Sequence, residues 1–156
     1  MKIRKYQPGD EIPIGDIFYN TIHQINSQDY SQKQIEAWAP SDLDKSIMSK
    51  KIIDIDPYVA LLDTKIVAYA DLQEDGYVDH FFCHHKYQRQ GIGSFLYSFL
   101  EKIAISKGIP QLSSDVSITA RPFFESKGFV VASKQLLTMR GRELINYKMV
   151  RSLDHN

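Results

Sequence analysis

The sequence predicts an α/β (α+β) fold, a mixed and mostly antiparallel sheet with helices on both faces, and three observations carry that expectation. Ile14, Ile17, Phe18, Ile22 and Ile25 recur at helical spacing, as do the apolar residues after Gly91. Residues 58–83 switch to runs of β-branched and aromatic residues split by short polar turns. With 156 residues, of which 43% are hydrophobic, the chain has material for one full core and not for two. A single domain over residues 1–156 is therefore expected.

Taken in order, residues 2–6 read as an opening strand, and Asp10 is placed to cap the first amphipathic helix. Ser31-Gln32-Lys33-Gln34 has the spacing of a capping box for a second helix that carries Ile35 and Trp38 and stops before Pro40. Ser41-Asp42 is expected to cap only a short third turn. Residues 58–62, 66–72 and 77–83 form an antiparallel three-stranded meander. A long helix then runs over 91–107, with Gly108 and Pro110 as its stop. Residues 112–116 give a short strand and 119–127 a short helix ended by Gly128. A closing hairpin, 129–137 with 144–150, turns about Arg140-Gly141-Arg142.

Composition removes several functions. Nineteen Lys+Arg balance nineteen Asp+Glu, so the formal charge is +0. Non-specific nucleic-acid binding draws on surplus cations, and no nucleic-acid partner is expected. No apolar run approaches the roughly 20 residues of a membrane span, so no membrane partner is expected either. Cys83 is the only cysteine, which excludes an intrachain disulfide and fits a cytoplasmic protein. His84-His85 is no metal pair, because adjacent side chains on an extended segment diverge and no third ligand is spaced near them; no metal is expected. His155 sits in a polar tail.

The most informative stretch is Gln88-Arg89-Gln90-Gly91-Ile92-Gly93-Ser94, between a strand and the start of the long helix. Glycines let the backbone approach an anion closely, and the first-turn N–H groups together with the helix dipole bind phosphate. Tight structural turning explains a lone G-x-G equally well. A dinucleotide fingerprint needs a third glycine where Leu96 stands, and an oxidoreductase of that type needs a parallel sheet in place of a meander.

Gln88-x-x-Gly91-x-Gly93, after a hydrophobic strand and before a long amphipathic helix, resembles the Q/R-x-x-G-x-G/A pyrophosphate motif of the GNAT acyl-CoA N-acyltransferases. Residues 120–129, Ala-Arg-Pro-Phe-Phe-Glu-Ser-Lys-Gly-Phe, are similar to that family's A-x-x-F-Y-x-x-x-G-F segment. Ala37-Trp38-Ala39-Pro40, residues 117–124 and the closing hairpin resemble a bacterial YafP/YjaB-like subgroup.

The resemblance implies a GNAT fold whose sheet splays open between its fourth and fifth strands, 77–83 and 112–116. It also implies use of acetyl-CoA to acetylate an amine, on a small molecule or a peptide, in a ternary complex. Phe82 and Cys83 would offer backbone groups to the pantetheine arm, and Gln88, Arg89, Gln90, Gly91, Ile92, Gly93 and Ser94 would hold the pyrophosphate. Ser117 and Phe124 would border the thiol end. Many relatives carry an Asn and a Tyr at these last two positions, and phenylalanine has no proton to give a leaving thiolate. That departure keeps open a second class, a non-catalytic acyl-CoA-binding module.

For the base, Asp79 and His80 stand just before the splay, and strand alternation lets at most one of them face the cleft. His80 suits the role by a pKa of about 6.5 when unperturbed, a strand-end histidine that only bonds a neighbouring loop fits equally well, and Tyr147 is an alternative donor. Cys83, alone in an apolar strand, reads as inert rather than as a nucleophile. His23, Tyr30, Gln34 and Trp38, on or between the first two helices, are the acceptor-side candidates. The closing hairpin offers an edge through which a homodimer could pair.

Overall fold

The computed structural model describes residues 1–153; His155 lies outside them. The chain runs β1 (Lys2–Lys5), α1 (Glu11–Gln24), α2 (Gln32–Trp38), α3 (Lys45–Ile55), β2 (Tyr58–Leu62), β3 (Lys65–Ala70), β4 (Tyr77–Val78), β5 (Phe81–Cys83), α4 (Ile92–Ser106), β6 (Gln111–Ser117), α5 (Arg121–Ser126), β7 (Val130–Met139) and β8 (Arg142–Ser152). Single 3-10 turns cover Asn26–Gln28 and His85–Tyr87. Two four-stranded sheets result, ordered β1-β2-β3-β5 and β4-β6-β8-β7.

The meander survives as β2-β3-β5, but residues 77–83 are not one strand. Tyr77 and Val78 pair in parallel with Ser113 and Ser114 of β6, whereas Phe81–Cys83 pairs antiparallel with β3. The chain changes sheets at Asp79 and His80, and the gap between β5 and β6 is the splay. This crossing would orphan two backbone donors. Asp71, fully buried just past β3, takes both: its Oδ1 accepts the N–H of Asp79 at 2.9 Å and of His80 at 2.7 Å. Gln73 Nε2 holds the other carboxylate oxygen at 2.7 Å.

Helices cover both faces of the first sheet. Ile14 and Ile17 of α1 pack with Ile52 and Ile55 of α3 on one side, while Leu96 and Leu100 of α4 pack on Val67 and Ala68 on the other. Each fully buried aliphatic side chain of this kind contributes about 1.5–3 kcal/mol. Tyr97, Leu112, Phe124, Phe129 and Met149 fill the core of the second sheet.

Two helix starts differ from expectation. Asp10 does not cap α1. It is itself helical (φ −65°), and its carboxylate accepts from Gln7 N–H at 2.8 Å and pairs with Arg4 at 2.7 Å. The short third turn expected after Ser41-Asp42 is the 11-residue α3, capped by Asp44 through Ser46 N–H. Ser41 instead bonds Glu36. The capping box at Ser31 and Gln34 forms as its spacing predicts.

Candidate active site

The splay opens a cleft of about 930 Å³ between the two sheets, running from the α4 N-terminus to the β7–β8 hairpin. At one end the chain turns sharply into α4. Arg89 (φ +59°) and Gly91 (φ +79°) are both left-handed, and Gly91, the N-cap, has no side chain to satisfy the first helical N–H groups. Among the described residues those donors have no partner, and they face the cleft. Gly93 permits close packing: a Cβ there would lie 3.2 Å from the Phe123 ring and 3.4 Å from Cys83 Sγ. Gln88 braces the loop from behind, donating Nε2 to the Cys83 carbonyl at 2.9 Å. Lys127, which sequence reasoning missed, bonds Ser94 Oγ at 2.8 Å and adds a positive charge at this end.

Ladder alternation decides which β5 groups reach the gap. Asp71 N–H bonds the His80 carbonyl and His84 N–H the Val67 carbonyl, so the Tyr69–Phe82 pair between them exchanges bonds within the sheet. Phe82 therefore has no free backbone for a ligand. Phe81 and Cys83 point theirs into the gap, and the Cys83 carbonyl is already taken by Gln88 and by Thr21 Oγ1 at 2.8 Å. The expectation for Phe82 passes to Phe81. Phe82 keeps a wall position through its ring, edge-on to Phe18.

His80 and Asp79 both line the cleft, against the expectation that at most one could, because β4 ends at Val78 and β5 starts at Phe81, so strand alternation does not hold between them. His80 is 8% exposed and stacks on Phe18, and burial pulls its pKa to about 4, with Asp79 opposing and Lys51 adding to the fall. Its Nδ1 lies 2.9 Å from Tyr69 Oη. Tyr69 is wholly buried and has no other acceptor among the described residues, so it donates, and the imidazole carries its proton on Nε2. In this tautomer His80 offers the cleft a donor and no lone pair, which corrects its expected role as base. Asp79 is held by Lys51 at 2.5 Å.

Ser117 lies across the gap. Its Oγ accepts from Asn26 Nδ2 at 3.2 Å and from Ala120 N–H at 3.0 Å, leaving its own proton to donate. Phe124, 4% exposed, lines the cleft beside Phe81. Burial pushes the Cys83 thiol up to about 11, which keeps it unreactive.

Of the acceptor-side candidates, Tyr30 and Trp38 line the cleft, edge-to-face at 5.5 Å. Tyr30 Oη is fully engaged, donating to the Ile145 carbonyl and accepting from Ile118 N–H. His23 and Gln34 do not line it. His23 bonds the Ala39 carbonyl at 2.7 Å, and Gln34 completes the capping box and reaches the Glu143 carbonyl. Gln90 is exposed outside the cleft. Tyr147 is outside it too, its ring 4.6 Å beneath the Arg121 guanidinium. Both were site expectations that the geometry does not support.

An acyl-CoA fits the groups present. Among the described residues, the N–H donors at one end are unpaired, the β5 edge midway is free, and the enclosed Thr119 hydroxyl on the wall has no partner.

Comparison with known proteins agrees. Residues 26–151 match the family model of the acetyltransferase (GNAT) domain. YafP of Escherichia coli K12, described as an uncharacterized N-acetyltransferase, is 34% identical over 149 residues, covering 96% of this chain and 94% of YafP. The crystal structure of a GCN5-related N-acetyltransferase from Rhodopseudomonas palustris superposes with a TM-score of 0.91 at 30% identity, over 97% of this chain and 95% of that one. PaiA N-acetyltransferase of Thermoplasma acidophilum, solved in complex with coenzyme A, shares the fold at a TM-score of 0.70 and 18% identity, over 97% and 98% of the two chains.

Proposed function

The chain belongs to the GNAT acetyltransferase family, and from that premise we propose that it transfers an acetyl group from acetyl-CoA to a primary amine by direct attack in a ternary complex. The carrying observation is the single cleft that joins the anion-ready start of α4 to the polar groups at His80 and Ser117. The acceptor is a small molecule or a peptide amine, the protein works as one cytoplasmic domain, and the chemistry needs no metal.

Acetyl-CoA supplies a thioester whose C–S bond breaks as the amine nitrogen forms its bond to the acetyl carbon. The residues of this chain orient and stabilise. Gly91, Ile92, Gly93 and Ser94 present N–H groups to the pyrophosphate, with Arg89 and Lys127 adding charge. His80 Nε2–H and the free N–H groups of β5 are the donors available to negative charge growing on the carbonyl oxygen, a contribution of about 3 kcal/mol for one well-placed donor. The amine gives up its proton to cleft water and to the Asp79 carboxylate. The thiolate leaves without a strong acid, since by analogy with cysteine its conjugate acid has a pKa of about 8.5, and Ser117 Oγ–H is turned to donate to it. Phe124 in place of a tyrosine is compatible with this route.

Calorimetric titration with acetyl-CoA tests the reading, beside a Gly91→Glu variant and beside dephosphorylated pantetheine. Micromolar binding that disappears in the variant and weakens without the phosphates is expected, followed by thiol release with an amine. Binding without release across a broad amine panel would instead identify a non-catalytic acyl-CoA module.

A further inference from the structure

Resting on the transferase reading, we infer that the acceptor is an amine with an apolar body and a carboxylate, and that Arg140 is the residue that binds the carboxylate.

The acceptor half of the cleft is walled by Phe18, Tyr30, Trp38, Leu137, Met139 and Leu144, which suits an apolar body. Among the described residues that line the cleft, Arg140 is the only formal cation on that half; Arg89, the other arginine on the cleft wall, sits in the loop before α4. Its Nη1 donates to the Ala37 carbonyl at 2.7 Å, which fixes the guanidinium against the end of α2. None of the ion pairs among the described residues involves Arg140, so the remaining donors of its planar fork are uncommitted. A fork held in this way suits bidentate binding of a carboxylate.

The backbone points the same way. Arg140 (φ +46°) and Gly141 (φ +78°) form a two-residue turn with both residues left-handed, a geometry that favours Asn-Gly or Asp-Gly. An arginine there carries a conformational cost that asparagine would lower. The hairpin is also held rigidly over the cleft, since Tyr30 bonds the Ile145 carbonyl at 2.6 Å and Gln34 the Glu143 carbonyl at 2.8 Å. A charge that merely tied the hairpin to α2 would be redundant with these bonds.

The test compares L-phenylalanine with 2-phenylethylamine, which differ by the carboxylate, in wild type, Arg140→Gln and Arg140→Lys. Glutamine keeps a donor for Ala37 and loses the charge. The readout is the ratio of kcat/KM for the two amines. Wild type should prefer phenylalanine by about tenfold or more, the scale of a hydrogen bond to a charged group. That ratio should collapse in Arg140→Gln through KM and recover in part in Arg140→Lys. A wild-type ratio near one, or an equal loss for both amines in Arg140→Gln, overturns the inference and leaves a structural tether, with the transferase reading intact. Calorimetric binding of N-acetyl-L-phenylalanine to the CoA-saturated protein is read independently of turnover. Binding that Arg140→Gln abolishes supports the carboxylate site even if acetyl transfer fails, and absence of binding by wild type overturns it even if other amines are acetylated.

Discussion

The carboxylate of Asp71 and the backbone N–H of His80 lie 2.7 Å apart, and through this bond a fully buried side chain of one sheet holds the point where the chain leaves for the other. Asp71→Ala would strand the N–H groups of Asp79 and His80, at about 1–3 kcal/mol for each buried donor left unsatisfied. We expect a loss of about 3 kcal/mol in urea unfolding, taken as the sum over both donors, with weaker acetyl-CoA binding in the protein that remains folded. Asp71→Asn retains an oxygen for both N–H groups and should lose less on both measures. Wild-type stability in the alanine variant would show that the splay is fixed by other contacts.

Two groups at this point titrate with opposite consequences. Burial raises the Asp71 carboxyl from 3.8 to about 6, against the bonds from His80 N–H and Gln73, so its favourable contribution is complete below pH 3.8 and is lost as pH rises through 6. Burial lowers His80 from 6.5 to about 4, so its contribution is present above pH 6.5 and is lost as pH falls through 4. The stability gap between wild type and Asp71→Asn should therefore shrink from pH 4 to 6, and the gap to His80→Gln should widen from pH 4 to 6.5. Urea titrations at half-unit intervals check both signs; parallel curves would contradict them.

Part of this site was legible in residue types and spacing, but glycines before a helix fit tight turning as well as anion binding, and the longer family motif around them was needed to choose. The Gly-rich turn into α4, the β2-β3-β5 meander and the capping box follow from local pattern, whereas the splay was expected only through the family resemblance. Asp71 did not, since a carboxylate at the end of an apolar strand reads as a surface residue until the strand beside it is seen to break. Nor did the role of His80, because the tautomer depends on Tyr69, eleven positions away in sequence and adjacent only through sheet pairing. The α3 helix was missed for a third reason: Lys50, Lys51 and Asp54 dilute its apolar face to Ile52 and Ile55. His23 and Gln34 were placed near the acceptor by their position on the helices, yet their polar atoms bond the backbone carbonyls of Ala39 and Glu143 instead.

The Tyr69–His80 bond predicts a spectroscopic outcome. In wild type, imidazole ¹⁵N shifts should report a protonated Nε2 and an unprotonated Nδ1 from pH 5 to 8, because the ring is held neutral and Tyr69 is the donor. Tyr69→Phe removes that donor, and both tautomers should then be populated. Activity should fall in the same variant, with kcat affected more than the KM for acetyl-CoA. A single, unchanged tautomer in Tyr69→Phe would mean that something other than the phenol sets the ring.

Removing the donor itself goes further. His80→Ala should lower kcat by about 10²-fold or more, the range for loss of one oxyanion donor, and leave acetyl-CoA binding near wild type because the proposed phosphate contacts are at the far end of the cleft. The acid limb of kcat/KM in wild type should not sit near the ordinary imidazole value, since burial holds His80 near 4. It should instead shift with the ionisation of whichever amine is supplied. A limb near 6.5 that is independent of the amine and disappears in His80→Ala would restore the histidine as the base and refute the donor assignment.

The start of α4 offers the sharpest separation of binding from chemistry. Gly93→Ala would place a methyl group 3.2 Å from the Phe123 ring and 3.4 Å from Cys83 Sγ, so α4 and α5 must part by a few tenths of an ångström. Phe123 and Phe124 move together, being edge-to-face at 5.7 Å, and the thiol end of the cleft shifts with them. Gly91→Ala meets no atom within 4 Å and suffers only its left-handed φ of +79°, a cost of about 1–2 kcal/mol in stability. The first variant should lose catalytic efficiency beyond its loss of stability, whereas the second should lose stability and keep acetyl-CoA affinity within a few-fold. Titration calorimetry and thermal unfolding on both distinguish these outcomes, and identical behaviour of the two variants would show that close packing at Gly93 has no bearing on the cleft.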